Sequence, residues 1–497
     1  MTDDITVSFK DDVYMKVSCD RGVAKEISEY FTFEVPGHKY MNSYRSKFWD
    51  GTIKLYNMYD QSLYRGLLDY LIQFANDRKY KINIPNIDVE KHSRESVENY
   101  VAGHIQPHAM GKDIKAYPHQ IDAIMQALNK KRCLLLSPTG SGKSLIIYSL
   151  MRYYIDKIPK DKKILLIVPT VALVSQMRSD FIDYSKKNKW KVDSNCHCLH
   201  AGKGKETNKK VTISTWQSIY KMPDKFFKDF YVVFGDECHL FKSKSLTSIM
   251  TKLRDCPYRV GTTGTLDDVQ INKLVIQGLF GSVHKVTTTT ELIEQNMLSD
   301  FKINCILLEY SDAEKKEIRR AKYQEEMDWL VKNEKRNNFI TDLSLTLKGN
   351  TLVLFQFVEK HGKILHTNIE SKTKNNRKVF FVYGGTDIDV REEIRHIVEK
   401  EDNAIIIASY GTFSTGISIR KLHNIIFASP SKSRIRILQS IGRQLRKSEH
   451  KVMANLYDIG DNLEWKSWKN HTLRHFVERI KIYKSEKFEY KTNRIKI

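Results

Sequence analysis

Cysteine is scarce in this 497-residue chain, with seven residues, an odd number, scattered along its length. That excludes a disulfide framework and points to a reducing compartment. Long apolar runs are missing too. No stretch approaches the roughly 18 residues that a membrane span requires, and the opening MTDDITVSFK carries neither a basic region nor an apolar one of the secretory kind. A soluble, untargeted protein acting in the cytoplasm is therefore expected, with no membrane partner. Internal repeats and low-complexity segments are absent. Acidic residues are in deficit: 59 Asp and Glu stand against 82 Lys and Arg, a net charge of +23 spread along the chain. A polyanion such as nucleic acid is the expected partner, and a basic surface that serves only solubility is the bland alternative.

Apolar residues make up 41% of the chain and charged residues 28%, which is ordinary for a globular protein. The length suits two to four domains. In the first 90 or so residues ITVSF and VYMKVSC alternate like strands, Val23, Ile27, Tyr30 and Phe31 fall at helical spacing, TIKLY adds a strand, and Leu67, Leu68, Leu71, Phe74 and Ala75 mark a second helix. A small α+β domain over residues 1–95 is expected, with a boundary near EKHSRESVENY. From about residue 115 short aliphatic runs alternate with helical segments: CLLLS, ILLIVPT, VTIST, YVVFGDE and YRVGTTGT. This rhythm predicts a parallel sheet covered by helices. It weakens at residues 310–340, read as a charged helical connection, and resumes with TLVLFQF, VFFVYGG, AIIIAS, NIIFAS and VMANLYDI. The helix DVREEIRHIVEK between two of these has Asp389 three residues before Glu392, a capping-box-like start, with Val390, Ile394 and Ile397 on one face. Two α/β domains in tandem, over 96–300 and 301–497, follow the small one.

The segment SPTGSGKS, residues 137–144, follows an apolar strand and opens an amphipathic helix. In that context it reads as a phosphate loop. Gly140 and Gly142 let the backbone curl so that N–H groups converge, aided by the helix N-terminus. Thr139, Gly140, Ser141, Gly142, Lys143 and Ser144 form the expected cradle, in which Lys143 reaches the β- and γ-phosphates and the Ser144 hydroxyl ligates Mg²⁺. Ser137 stands where the strict pattern has glycine. The second half of such a site is a strand ending in an acid, and YVVFGDECH supplies it. Asp236 is the expected Mg²⁺-side carboxylate, and Glu237 the group that orients and deprotonates the attacking water. Upstream, AYPHQIDAIMQAL starts a helix at Pro118 with Ile121, Ile124, Met125 and Leu128 as its buried stripe. Gln120 falls off that stripe. Two readings fit it equally: an amide that recognises adenine, and so selects ATP, or an exposed helix glutamine. The cluster NCHCLH, residues 195–200, lacks a second zinc half-site and reads as a strand rather than a metal site.

SPTGSGKS, VPTVALVSQ, STWQS, DECH, GTTGT, SYGTFSTGIS and QSIGRQLRK occur in the order, and at roughly the distances, of the motifs of superfamily 2 helicases. The resemblance covers about residues 115–460. It implies two RecA-like domains with ATP between them, and arginine fingers Arg443 and Arg446, three apart on one helix, directed at the γ-phosphate. It also implies that Gln439 faces the nucleotide, that Thr263 and Thr265 couple hydrolysis to closure, and that Gly416 approaches ATP or the nucleic-acid backbone. Many members have GID where this chain has GIS, so the role of that aspartate is not carried over to Ser418. Backbone contacts to nucleic acid, without base readout, are implied for Pro169, Thr170, Gln176, Thr215, Gln217, Ser409, Thr412 and Thr415.

The DECH box, SYGTFSTGIS, QSIGRQLRK and the N-terminal FWDGTIKLY resemble more closely the UvsW-type helicases of tailed bacteriophages, over the whole length. That resemblance implies an ATP- and Mg²⁺-dependent DNA helicase acting on branched and double-stranded DNA without sequence preference. Holliday junctions, D-loops, RNA–DNA hybrids in R-loops and stalled forks are the implied substrates in recombination, repair and replication, and a monomer in the host cytoplasm the implied state. Composition and motifs alone stop at an ATP-driven nucleic-acid translocase, which leaves an RNA helicase and a junction binder with an inactive motor as alternatives. In the small domain, YMNSYRSKFWDG interleaves Tyr40, Tyr44, Phe48 and Trp49 with Arg45 and Lys47, a composition for stacking on bases or, more commonly in so small a domain, for core. The C-terminal segment from Lys466 is read as a helix with a Leu473, Phe476, Val477 and Ile480 stripe and a basic outer face.

Overall fold

The structure, a computed structural model, describes residues 4–86, 90–109, 111–199, 207–266, 269–373, 377–416, 419, 421–430, 433, 437–438, 440–442, 445 and 453–497. The chain divides into two compact units: residues 1–137 with 141–287, and residues 288–497 with 138–140. Each carries a seven-stranded sheet in which every pairing is parallel.

In the first unit the strand order is Cys196–Leu199, Val211–Thr215, Lys163–Val168, Phe230–Gly235, Tyr258–Thr263, Arg132–Leu136, Val283–Lys285. The central strands read as unbroken aliphatic runs because both faces are covered, and Ile164 through Val168 are all buried. The carboxyl ends of these strands carry the motifs, as expected for an open parallel sheet. NCHCLH proves to be an edge strand over its described part, and no metal-binding cluster occurs among the described residues. Residues 5–83 form a smaller sheet in the order Ser62–Tyr64, Tyr14–Cys19, Ile5–Phe9, Ile82–Asn83, covered by helices Arg21–Tyr30 and Leu68–Arg78. This part shares a core with the first parallel-sheet domain. Ile271 and Leu274 of helix Gln270–Phe280 pack among Ile27, Leu67, Leu71 and Phe74. At Gly66 a Cβ would lie 2.2 Å from the Gln277 carbonyl, so two backbones meet where only glycine fits. Asp12 adds a polar tie, accepting from Arg65 at 2.6 Å and from Arg132 at 3.2 Å.

The second unit has the order Val379–Val382, Ile405–Ser409, Thr351–Phe355, Asn424–Phe427, Met453–Asn462, Asp300–Glu309, Tyr490–Lys496. Residues 310–340, expected as a charged helical connection, are helical over Asp312–Glu317, Tyr323–Lys332 and the start of Glu334–Thr346, but they pack into the core of the unit. Met327, Leu330 and Val331 are buried, and Arg336 reaches from helix Glu334–Thr346 to Asp461 at 2.8 Å with both side chains sealed from solvent. The C-terminal segment forms the expected helix, His471–Ser485, with Phe476 buried and Leu473 and Ile480 packed against the core, but its buried side also takes in Thr472, Arg479, Ile482 and Tyr483, while Val477 is exposed. Arg479 is no part of a basic outer face, because Asp458 holds it at 2.7 Å inside the core. The helix expected to start at Asp389 starts one residue earlier, at Ile388, with Asp387 as its N-cap, and Val390 faces solvent. No helix of the described residues is long and apolar enough to cross a membrane.

Candidate nucleotide site and DNA-contact positions

Strand Arg132–Leu136 ends beside strand Tyr258–Thr263, and the Ser137 N–H continues the pairing by donating to the Thr263 carbonyl at 2.8 Å. The chain then turns through Gly140, at φ +90°, and Gly142, at φ +82°, into helix Lys143–Ile155. Both angles lie in the left-handed region where a side chain is strained. Ser137, the position where glycine was expected, is buried and pairs its Oγ with Ser141 Oγ at 2.5 Å, closing the loop across its base. Lys143 Nζ donates to the Ser137 carbonyl at 3.1 Å, and Ser144 Oγ lies 2.9 Å from the Tyr184 hydroxyl.

Gln120 is buried, not exposed. Its Nε2 donates to the Ser141 carbonyl at 2.9 Å, and its Oε1 accepts the Tyr117 N–H at 2.9 Å, the second bond being the start of helix Pro118–Lys130. The exposed-helix reading is thereby overturned. What the amide does here is brace the loop: a Cβ on Gly142 would sit 2.1 Å from Gln120 Nε2. His119 Nε2 lies 3.0 Å from the same Ser141 oxygen.

Asp236 and Glu237 follow strand Phe230–Gly235. Asp236 is buried, accepts from Thr262 Oγ1 at 2.8 Å, and has its carboxyl pushed up to about 6 by burial and by the neighbouring Glu237 charge, against the pull of Lys143. Glu237 takes φ +51°, uncommon for a non-glycine residue, and its side chain is partly exposed. Its Oε2 lies 3.3 Å from His239 Nδ1, and that nitrogen lies 3.1 Å from Thr263 Oγ1, whose hydroxyl donates to the Thr265 carbonyl at 2.8 Å. DECH and GTTGT therefore meet through side chains. Thr262, His239, His119 and Tyr184 were not picked out from the sequence. The first two lie inside quoted motifs, so motif membership was a usable signal. Nothing in the sequence marks Tyr184.

Several DNA-contact candidates cluster at strand ends within their own units. Pro169 and Thr170 follow strand Lys163–Val168, and Thr170 Oγ1 caps helix Val171–Tyr184 by accepting the Leu173 N–H at 3.3 Å. Thr215 ends its strand, buried, with Oγ1 3.0 Å from Ser218 Oγ, and Gln217 is exposed just beyond. Gln176 is exposed and donates to Asp180 at 2.7 Å. In the second unit Ser409 Oγ lies 2.8 Å from Thr412 Oγ1, and Thr412 is buried. Thr415 and Gly416 belong to helix Tyr410–Gly416, the Thr415 side chain lying outside the described residues. Ser418, Gln439, Arg443 and Arg446 also lie outside them.

Residues 4–85 match the family described as the N-terminal region of DNA helicase UvsW, residues 113–268 that of the res subunit of type III restriction enzymes, and residues 334–448 the helicase conserved C-terminal domain. The ATP-dependent DNA helicase uvsW of Enterobacteria phage T4 is 34% identical over 98% of this chain and 98% of its own. The chain belongs to the UvsW family of ATP-dependent DNA helicases. The crystal structure of T4 UvsW superposes on this UvsW-family chain with a TM-score of 0.53 at 32% identity, covering 99% of each. A DNA 3'-5' translocase, XPB2 of Sulfurisphaera tokodaii, is similar at 24% identity over 77% of the chain and 88% of the relative. The expected fold, two RecA-like domains and a small N-terminal domain, is thus the fold of a UvsW-family helicase.

Proposed function

We propose that this UvsW-family helicase uses ATP hydrolysis to remodel branched DNA: migrating junctions, regressing forks, and unwinding D-loops and R-loops, the last through RNA–DNA hybrids. The observation that carries the reading is that the likeness extends through residues 4–85 and is not confined to the motor, whose motifs many nucleic-acid-dependent ATPases share. In this reading the protein acts as a monomer in the cytoplasm of the infected host, and double-stranded arms are gripped without regard to sequence.

The residues at the phosphate loop fit a nucleotide with Mg²⁺. Asp236 is a buried carboxylate whose charge is disfavoured by burial and by Glu237, and a dication beside it relieves both penalties. Ser144 Oγ and Asp236 would hold the metal, which supplies charge neutralisation of the phosphates. Lys143 exchanges the Ser137 carbonyl for the β- and γ-phosphate oxygens, while Thr139, Gly140, Ser141 and Gly142 offer backbone N–H groups. Glu237 orients and deprotonates the attacking water. His239 holds that carboxylate near Thr263 and Thr265, the pair assigned to coupling. Gln120 fixes the loop and orients toward adenine from its braced position. Arg443 and Arg446 act as arginine fingers, with Gln439 and Gly416 beside the nucleotide. Pro169, Thr170, Gln176, Thr215 and Gln217, and in the second unit Ser409, Thr412 and Thr415, hold backbone phosphates.

Steady-state ATP hydrolysis measured without nucleic acid, then with single-stranded DNA, duplex, a four-way junction and single-stranded RNA at fixed salt, tests the reading. Strongest stimulation by the junction is expected. Equal or greater stimulation by RNA favours an RNA helicase and contradicts the proposal.

A further inference from the structure

The small N-terminal domain carries a concentration of exposed apolar surface that its own core does not explain. Among the described residues, six of the ten large hydrophobic side chains that face solvent fall between residues 40 and 59. Phe48 is 90% exposed and Tyr40 79% exposed, so the expectation that these aromatics form core fails for both. Phe48 lines an open groove of about 950 Å³ together with Trp49 and Tyr44. The lining is also strongly one-signed. Lys39, Arg45, Lys47 and Lys54 contribute four positive charges against the single carboxylate of Asp50, which Lys54 approaches at 3.4 Å.

The loop that presents Phe48 is built, not slack. Trp49 Nε1 donates to the Thr52 carbonyl at 2.7 Å, and Asp50 Oδ1 accepts from both the N–H and the hydroxyl of Thr52. His38 Nδ1 lies 2.9 Å from the Val35 carbonyl, and its ring meets Tyr44 edge-on at 4.7 Å. Gly51, at φ +81°, passes so close to the His38 ring that a Cβ would lie 2.5 Å away. Immediately before Phe48, Lys47 adopts φ +60°, in the left-handed region that a non-glycine residue enters uncommonly, and its N–H donates to the Tyr44 carbonyl at 3.0 Å. A rigid loop is thus organised to keep a large ring in water.

We infer that this groove is a second DNA-binding surface, on which Phe48 stacks against an unpaired base while Lys39 and Lys47 pair with the flanking phosphates. Stacking on an aromatic face tolerates any base, and backbone phosphates carry no sequence, so the surface suits single-stranded DNA irrespective of sequence. Anionic charge on the occupant follows from the lining, and a planar π-face follows from a ring held open on a fixed loop. The inference rests on the reading of this chain as a DNA helicase, but not on its preference for branches. It adds a grip outside the strand-end phosphate contacts of the motor, and so a place where a strand is held while the motor steps.

The test uses the full chain, without nucleotide, and a single-stranded oligonucleotide at fixed salt, read by fluorescence anisotropy. Phe48→Ala is expected to weaken binding about tenfold, within the range one base–aromatic stack contributes. Phe48→Trp is expected to restore it, and ATP hydrolysis in the absence of DNA is expected to stay at the wild-type rate in both. Lys39→Ala with Lys47→Ala is expected to reduce the slope of log affinity against log salt by about 1.4, the share of two phosphates on a single strand. Unchanged affinity in Phe48→Ala, or a loss that Phe48→Trp does not restore, overturns the inference. The oligonucleotide has no branch, so a failure of the junction preference leaves this result readable.

Discussion

Gln120 Nε2 and the carbonyl oxygen of Ser141, 21 residues apart, are joined by a buried 2.9 Å hydrogen bond that ties the helix beginning at Pro118 to the phosphate loop. The same amide accepts the Tyr117 N–H, so one side chain both caps a helix and props the glycine-rich turn proposed to receive phosphate. Gln120→Ala removes both bonds and opens space behind Gly142. A loss of about 1–3 kcal/mol is expected for two neutral hydrogen bonds, one buried and one partly so. It should appear as a lower Tm together with a raised KM for ATP, both measured on the purified variant.

Lys143→Ala leaves the loop without its only long cation while touching no proposed DNA contact. Hydrolysis is expected to fall at least about a hundredfold, as for removal of a preorganised electrostatic group, with DNA affinity within about threefold of wild type. Turnover assays and anisotropy measured on the same preparation check the two halves together.

For Asp236 the sign is set by its raised carboxyl, pushed up to about 6 by burial first and Glu237 second. Between about pH 4 and that value the folded protein holds a proton that the unfolded chain has released, so stability is full at the acid end and is lost as pH rises through about 6. Asp236→Asn abolishes the titration. Without nucleotide or divalent metal, its Tm should lie closest to wild type at or below about pH 4 and exceed it by a growing margin up to about pH 7. A gap of the same size at both pH values would place the charge elsewhere.

The small domain shares a hydrophobic core with its neighbour, and among the described residues Asp12 adds an ion pair between them, to Arg132. Arg132 is mostly buried, its guanidinium pushed down to about 9 by desolvation and by nearby Arg259 and Arg65, with Asp12 the carboxylate that opposes the fall. Asp12→Ala leaves Arg132 without that counter-charge, a loss expected to cost about 3–5 kcal/mol. Hydrogen exchange should then rise in strands Ile5–Phe9 and Tyr14–Cys19 before it rises in strand Lys163–Val168.

How much of this was legible beforehand depended on whether a residue's partner was local. Strands such as Lys163–Val168 and Thr351–Phe355 announce themselves because both faces are buried. Asp300–Glu309 escaped notice since its first half alternates Phe301, Ile303 and Cys305 with exposed or half-buried polar residues, which hides a ten-residue strand among loop-like ones. Tyr490–Lys496 is an edge strand of mostly exposed polar residues, defined only by its pairing with residues 303–309. Lys143, Asp236 and Glu237 were visible through motif spacing. The burial of Gln120 was not, because the carbonyl that satisfies it lies in a different element. Arg336 and Arg479 read as surface charge for the same reason: Asp461 and Asp458, which make their burial tolerable, are distant in sequence.

The central claim is that ATP turnover at Lys143 and Glu237 drives strand movement on branched DNA. Its most direct test is unwinding of a labelled four-way junction by the wild-type chain, with ATP and Mg²⁺, beside Glu237→Gln under identical conditions. The account predicts resolution of the junction by the wild type at protein concentrations that leave a linear duplex intact, and bound but unresolved junction with Glu237→Gln. Junctions left intact by a wild-type preparation that hydrolyses ATP, or resolved equally well by Glu237→Gln, would contradict it.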